Sequence, residues 1–189
     1  MLSTIDENPN SMDRTEFDQV AVVEVGQEDW QRVRRLRLAA LADAPDAFWA
    51  TLEEESNLTE AEWRHRLTDA SRATFIAVRG PDPGARDVGL AMTGPSRLPD
   101  AAGLYGLWVD PRYRGQGIAD ELVAAVVGHA TAAGYGRLLL DVGDHNRTAI
   151  AFYGRMGFRP TGRTNAFPPP RDHITEHELA LVLDGSRPV

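Results

Sequence analysis

The 189 residues include no cysteine. That excludes disulfides, thiolate nucleophiles and cysteine-based zinc sites together, so any covalent catalysis has to use another group. No run of about 18 apolar residues occurs, which removes the pattern of a bilayer-spanning helix. The first residues lack both a basic start and an apolar core, so no secretory signal is read there, and a cytoplasmic protein is expected. Basic residues are also short in number, 20 against 28 acidic. The resulting net charge of −8 argues against a nucleic-acid binder, which needs a basic face. Residues 1–18 have little apolar periodicity and read as a flexible tail, 19–184 as one domain with a full core, and 185–189 as a short C-terminal tail.

What is present alternates between strand and helix patterns. Residues 20–25 (VAVVEV) are a β-branched run of strand length, followed by a helix with Val33, Leu36 and Ala40 on one stripe. Arg32, Arg34, Arg35 and Arg37 read as its solvated face. A loop or short helix with Pro45, Phe48, Trp49 and Glu53 to Glu55 follows, and its carboxylates beside aromatics would suit a cationic acceptor. Thr59 and Glu62 form a capping-box pattern that opens a further helix. Residues 73–78 and 88–93 flank a Gly-Pro-Asp-Pro-Gly turn at 80–84 and predict an antiparallel hairpin. A strand over 103–109, a helix over 118–131 and an apolar strand over 137–142 predict a parallel pair with a right-handed crossover. Asn146 stands at the N-cap of another helix, which Gly157 ends. A short strand at 158–161, a proline-rich connection and a strand over 174–183 complete the chain.

The stretch Leu107-Trp108-Val109-Asp110-Pro111-Arg112-Tyr113-Arg114-Gly115-Gln116-Gly117-Ile118-Ala119 is where chemistry first shows. Gly115 and Gly117 let the backbone approach a ligand closely. The N–H groups that open the next helix have no intrahelical partners, and phosphate oxygens satisfy them well. Taken alone, the two glycines fit an ordinary bend equally well. Arg112 and Arg114 favour the anion, because a bend needs no guanidinium and a pyrophosphate suits two.

Two motifs resemble the GNAT superfamily of acyl-CoA-dependent N-acetyltransferases. Arg112-Tyr113-Arg114-Gly115-Gln116-Gly117 is similar to that family's pyrophosphate loop, R/Q-x-x-G-x-G/A. About thirty residues on, Asn146 to Phe158 is similar to its second signature, N-x-x-A-x-x-x-Y-x-x-x-G-F. The resemblance spans 20–183. It implies an α/β (α+β) fold: a mixed, mostly antiparallel sheet of about seven strands with about four helices, one parallel pair splaying around the cofactor. It further implies acetyl-CoA as cosubstrate, without a metal. Its pyrophosphate would lie on Arg112, Arg114, Gly115, Gln116, Gly117, Ile118 and Ala119, and its pantetheine arm along Leu107, Trp108 and Val109, with Asn146. One of the strand N–H groups would polarise the thioester carbonyl. Tyr153 would protonate the departing thiolate after direct amine attack through a tetrahedral intermediate. The implied acceptor is a primary amine of a small molecule or peptide, with no nucleic acid or membrane partner; the resemblance leaves room for a homodimer. The segments 45–55 and 164–171 would select the acceptor.

The sequence departs from the pattern at Ala102-Gly103-Leu104, where many relatives read roughly Ala-Glu-Leu. A lysine-like amine, with a pKa of about 10.4, is protonated at neutral pH, so something must take its proton. Glu54, Glu55, Asp110, Asp141, His145, His177 and Glu178 are the candidates, and the sequence does not choose. His173 and His177 are spaced for a metal on a helix, but their segment reads as strand. The Gly103 departure keeps a rival open, a CoA-binding sensor or partner-binding module on the same fold. A nucleotide triphosphatase using the glycine turn is a poor reading, because no G-x-x-x-x-G-K-[ST] occurs and the second motif would go unexplained. Gly117→Asp puts bulk and negative charge where the pyrophosphate is expected, and should weaken CoA by about tenfold or more in calorimetry. Unchanged affinity would place the cofactor elsewhere.

Overall fold

The computed structural model describes residues 19–81 and 84–183. Both expected tails and the centre of the 80–84 turn lie outside the described residues. The elements run β1 (Val20–Val25), α1 (Trp30–Asp43), α2 (Leu52–Ser56), α3 (Glu60–Arg66), β2 (Ala73–Arg79), β3 (Arg86–Pro95) and β4 (Ala101–Val109). They continue with α4 (Ile118–Ala132), β5 (Arg137–Gly143), α5 (Arg147–Arg155), β6 (Arg159–Ala166) and β7 (Thr175–Val182). The seven strands form one sheet in the order β1-β2-β3-β4-β5-β7-β6. Only β4 and β5 pair in parallel among the described strands, as the α4 crossover predicts.

Local chemistry explains the helix boundaries. Thr59 Oγ1 accepts from the Glu62 N–H at 3.3 Å while Glu62 Oε2 accepts from the Thr59 N–H at 2.7 Å, the reciprocal capping box expected from sequence. Thr51 and Glu54 repeat it at the start of α2. Asn146 Oδ1 accepts from the Ala149 N–H at 3.1 Å and so starts α5.

Strand alternation divides the core between the two faces of the sheet. On one face Phe75, Ala77 and Ala91 pack against Leu122, Val123 and Val126 of α4. On the other, Ile76 and Leu90 meet Val33, Leu36 and Ala40 of α1 and Trp63 of α3. The central β5 is apolar on both faces, Leu138, Leu139 and Leu140 all being buried.

Arg37 does not belong to a solvated face. It is buried, and its Nε and Nη2 hold both oxygens of buried Glu55 at 3.1 and 3.2 Å. Its aliphatic stem and ring stacking explain how a cation enters the interior: the guanidinium lies 4.7 Å from the Phe48 ring centroid. Arg32 and Arg35 are also engaged, both on Asp87 at the start of β3. Charge periodicity marked the right residues and missed that their partners lie on other elements.

The parallel pair is short. Ala101, Ala102 and Gly103 pair with Arg137, Leu138 and Leu139, and beyond them the strands part. On its other side β4 carries a bulge: Tyr105 opposes Met92 and Trp108 opposes Leu90, so β4 holds one residue more than β3 over that interval. Gly106 supplies the bend with φ +62°.

Candidate active site

The gap between β4 and β5 is one wall of a cavity of about 1320 Å³. Leu107, Trp108 and Val109 of β4 line it beside Arg114, Gly115 and Gly117 of the turn and Ile118 and Ala119 at the start of α4. Asn146 and Tyr153 close it from α5. Gly115 and Gly117 have φ values of +75° and +79°, and a Cβ on either would meet nothing within 4 Å. Their conformation, rather than crowding, calls for glycine, and it turns the opening N–H groups of α4 outward.

Arg112 and Gln116 are not among the lining residues. Arg112 folds onto Asp110, with Nη2 to Oδ2 at 2.6 Å, and Gln116 bonds Arg79. Arg114 lines the cavity while its Nε donates to the Val109 carbonyl at 3.0 Å and its Nη2 pairs with Asp43. Burial works against charge on Asp43, but the Trp108 indole N–H at 2.9 Å and Arg114 outweigh it and hold the carboxyl below its usual range. Asp43 thereby ties the end of α1 to the turn.

Tyr153 is 9% exposed and packs edge-on against Phe158. Burial pushes its hydroxyl far above the usual tyrosine value, so the group stays protonated. Leu107, Asn146 and Tyr153 also line a second cavity of about 430 Å³, whose far wall holds Asp141, Glu176 and Trp49. Residues 47–50 line it, and Arg171 ties that segment down. Arg171 donates from Nη1 to the carbonyls of Pro45 and Phe48 at 2.5 and 2.9 Å, and from Nη2 to that of Trp49 at 2.6 Å. Of the two stretches the resemblance implied for acceptor selection, 45–55 lines this cavity and 164–171 reaches it only through Arg171 on the first.

Most of the base candidates are engaged elsewhere. Glu54 caps α2, and that Thr51 backbone bond lowers its pKa. Glu55 is held by Arg37 and Arg66. Arg112 lowers Asp110, and Arg97, at 2.7 Å on both oxygens, lowers Glu178. His145 and His177 are exposed, and neither lines this cavity. Asp141 does line it, with its pKa raised by burial and then by Glu178.

Glu176 is the group that sequence reasoning missed. Only 4% exposed, it accepts from the Trp49 indole N–H at 2.6 Å, and burial raises its pKa against that bond. One signal was available: Glu176 alternates with His177 on the strand face of buried Ile174, which marks it as inward.

With this geometry established, comparison with known proteins gives the family. The sequence profile described as the acetyltransferase (GNAT) family matches residues 30–158. This chain belongs to the GNAT family. It is 37% identical over 133 residues to an uncharacterized N-acetyltransferase of Mycobacterium bovis, covering 68% of this chain and 79% of that protein. Similarity to human N-acetyltransferase 8 is 43% over 61 residues, 32% of this chain, and the chain spans only 27% of that protein. The fold is similar to that of spermidine N-acetyltransferase from Vibrio cholerae, solved in complex with CoA and spermine. The TM-score is 0.69 at 13% identity, covering 87% of this chain and 96% of that one.

Gly103, where other GNAT proteins were expected to carry a carboxylate, is occupied from the side. A Cβ there would lie 2.2 Å from Tyr105 Oη and 2.3 Å from its Cζ. The Tyr105 ring folds back over the glycine and its hydroxyl donates to the Pro95 carbonyl at 2.7 Å. Gly103→Ala should therefore dislodge the ring and cost about 1 kcal/mol through the lost hydrogen bond. Chemical denaturation should show a smaller cost for the same change in a Tyr105→Ala background; equal costs would mean the two residues are not coupled.

Proposed function

We propose that this protein transfers the acetyl group of acetyl-CoA to a primary amine of a small molecule or peptide. The observation that carries the reading is a single cavity bounded by the positive-φ glycine turn, the unpaired edge of β4 and the buried Tyr153. The residues fit such a cosubstrate. Gly115, Gly117 and the opening turn of α4 offer N–H groups to a pyrophosphate, with Arg114 beside them. Leu107, Trp108 and Val109 offer backbone groups to the amides of an extended arm, as a further strand would. Acetyl-CoA supplies the activated acetyl thioester.

The remaining work falls to side chains and backbone of this chain. A β4 N–H group in the splayed gap stabilises charge developing on the thioester oxygen, where one positioned donor is worth about 3 kcal/mol of barrier. Tyr153, kept protonated by its burial, gives its proton to the departing sulfur. Glu176 takes the proton of the attacking ammonium, and Asp141 adds negative charge in the same wall. The raised pKa of Glu176 makes it a stronger base than a free carboxylate. Phe48 and Trp49, laced down by Arg171, restrict water at the acceptor end.

Gly103 favours a second reading, a CoA-binding sensor without turnover, because the position of the usual carboxylate is closed by Tyr105. Thiol release with acetyl-CoA and a panel of amines separates the two. Tyr153→Phe should lower kcat by about a hundredfold or more while CoA affinity stays as it was. A protein that binds CoA tightly and releases no thiol with any amine is the sensor. In an enzyme, kcat/KM should rise with pH through an acid limb above the ordinary glutamate value of about 4.3, since a raised pKa keeps the base protonated to higher pH. Glu176→Gln should remove that limb and retain the later one belonging to the amine. An acid limb that survives in Glu176→Gln assigns the base elsewhere.

A further inference from the structure

Trp49 grips a buried carboxylate from an exposed position. It is 54% exposed, so burial does not fix where its ring lies, yet the indole N–H reaches Oε2 of Glu176 at 2.6 Å. An indole nitrogen can only donate, and a carboxylate gives it the stronger kind of bond. Among the described residues this is the one hydrogen bond that the Glu176 side chain makes. The buried unpaired atoms of the described residues are Arg37 Nη1, Trp63 Nε1 and Thr93 Oγ1. Glu176 Oε1 has no partner and is not one of these, so it keeps a face toward the cavity that Glu176 lines with Tyr153.

What holds the ring comes from the stretch of chain that carries Glu176 itself, the β6–β7 connection and the start of β7. That connection closes on itself: the Phe167 N–H donates to the Ile174 carbonyl at 3.1 Å, and the Ile174 N–H to the Arg171 carbonyl at 3.0 Å. The Arg171 guanidinium reaches out of it to the carbonyls of Pro45, Phe48 and Trp49, and lies 5.0 Å from the ring centroid of buried Phe167. Phe167 in turn packs against Trp49, with 6.4 Å between ring centroids. The carbonyl, ring and indole N–H of Trp49 are therefore all held by one stretch. Arginine suits this task, because its planar fork offers several donors at fixed angles and stays charged.

We infer that Trp49 is a positioning residue, which occupies Oε2 of Glu176 so that Oε1 is presented to the acceptor amine, and that Arg171 keeps Trp49 in that place. The inference rests on the reading of Glu176 as the base and adds the residues through which that base is set. A base held in one orientation spends less freedom at the moment of proton transfer. The indole bond also opposes the effects that raise the Glu176 pKa, burial first and then Asp141 of β5. Other charges around the cavity are already engaged: Arg97 holds Glu178 further along β7, Glu55 holds Arg37 of α1, and Arg163 of β6 acts on Asp141 and Glu178. Tyr105 of β4 and Tyr153 of α5 are both raised by burial and stay protonated. Removing the indole donor while an aromatic ring remains therefore raises Glu176 further.

Two measurements on the full chain test this. In kinetics with acetyl-CoA and the best amine of a panel, Trp49→Phe should move the acid limb of kcat/KM to higher pH by about one pH unit. Arg171→Met should move it the same way, Arg171→Lys should restore part of the original position, and the Trp49→Phe, Arg171→Met double variant should move it no further than Trp49→Phe alone, because Arg171 acts through Trp49. A merely structural contact would lower the rate and leave the limb in place. The second measurement needs no turnover. Each of the four tryptophans gives one indole N–H signal in proton–nitrogen NMR, and Trp49→Phe identifies its own. That signal should shift as Glu176 is titrated and should stop shifting in Glu176→Gln, while the signals of the other three report that each variant is folded. Amine turnover whose acid limb stays in place or moves down in Trp49→Phe, or a Trp49 signal that still titrates in Glu176→Gln, would overturn the inference and keep the acetyltransferase reading. A Trp49 signal that titrates with Glu176 in a protein that acetylates no amine keeps the contact and sinks its catalytic use.

Discussion

Everything in the site depends on a pair of parallel strands that hydrogen-bond for only part of their length. β4 and β5 are joined over 101–103 and 137–139 and then separate, because the bulge at Gly106 adds a residue to β4 and increases its twist. Backbone groups on the parted edge lose their ladder partners, and an extended ligand arm is the natural replacement. A sheet that stayed zipped would bury those groups and leave no cavity. The glycine turn and α4 follow directly from the end of β4, so the bulge also sets where an anion would sit relative to that edge.

Around this gap the chain uses polar contacts to hold irregular segments in place. Asp43 joins α1 to the turn through Trp108 and Arg114. Arg171 binds three carbonyls of the 45–49 segment, and Trp49 answers by donating to Glu176. Arg37 and Glu55 fasten α2 to α1 in the interior. At Arg37 and Glu55, removing one member strands a buried charge, so that pair constrains geometry more strongly than a surface pair does. The cavity beside Glu176 is consequently walled in part by loops given definite positions by charge and hydrogen bonding, where the cavity at the glycine turn is built on strand and helix.

Elements with strong local signals were legible in advance: the hairpin β2 and β3, the capped helices, the crossover through α4, and the glycine turn. Boundaries moved by a residue or two, except that β6 runs through Arg159–Ala166 and not only to 161. The turn glycines, Tyr153 and Asn146 do line one cavity, while Arg112 and Gln116 turn to protein partners. Arg37 looked solvated because it belongs to a run of arginines on one helix; its partner Glu55 arrives from another element. Glu176 escaped notice because a single glutamate in a strand carries no mark of burial beyond alternation.

By itself the sequence determined the order of strands and helices, the family and the position of the glycine turn, since each is encoded in periodicity, caps and contiguous motifs. Only the tertiary structure decided which carboxylates line the cavity beside Tyr153, how Tyr105 fills the space over Gly103, and how Glu55 meets buried Arg37. Those outcomes come from residues far apart in the chain meeting across the sheet. Their charges and volumes compensate one another in space, and no local pattern records that compensation.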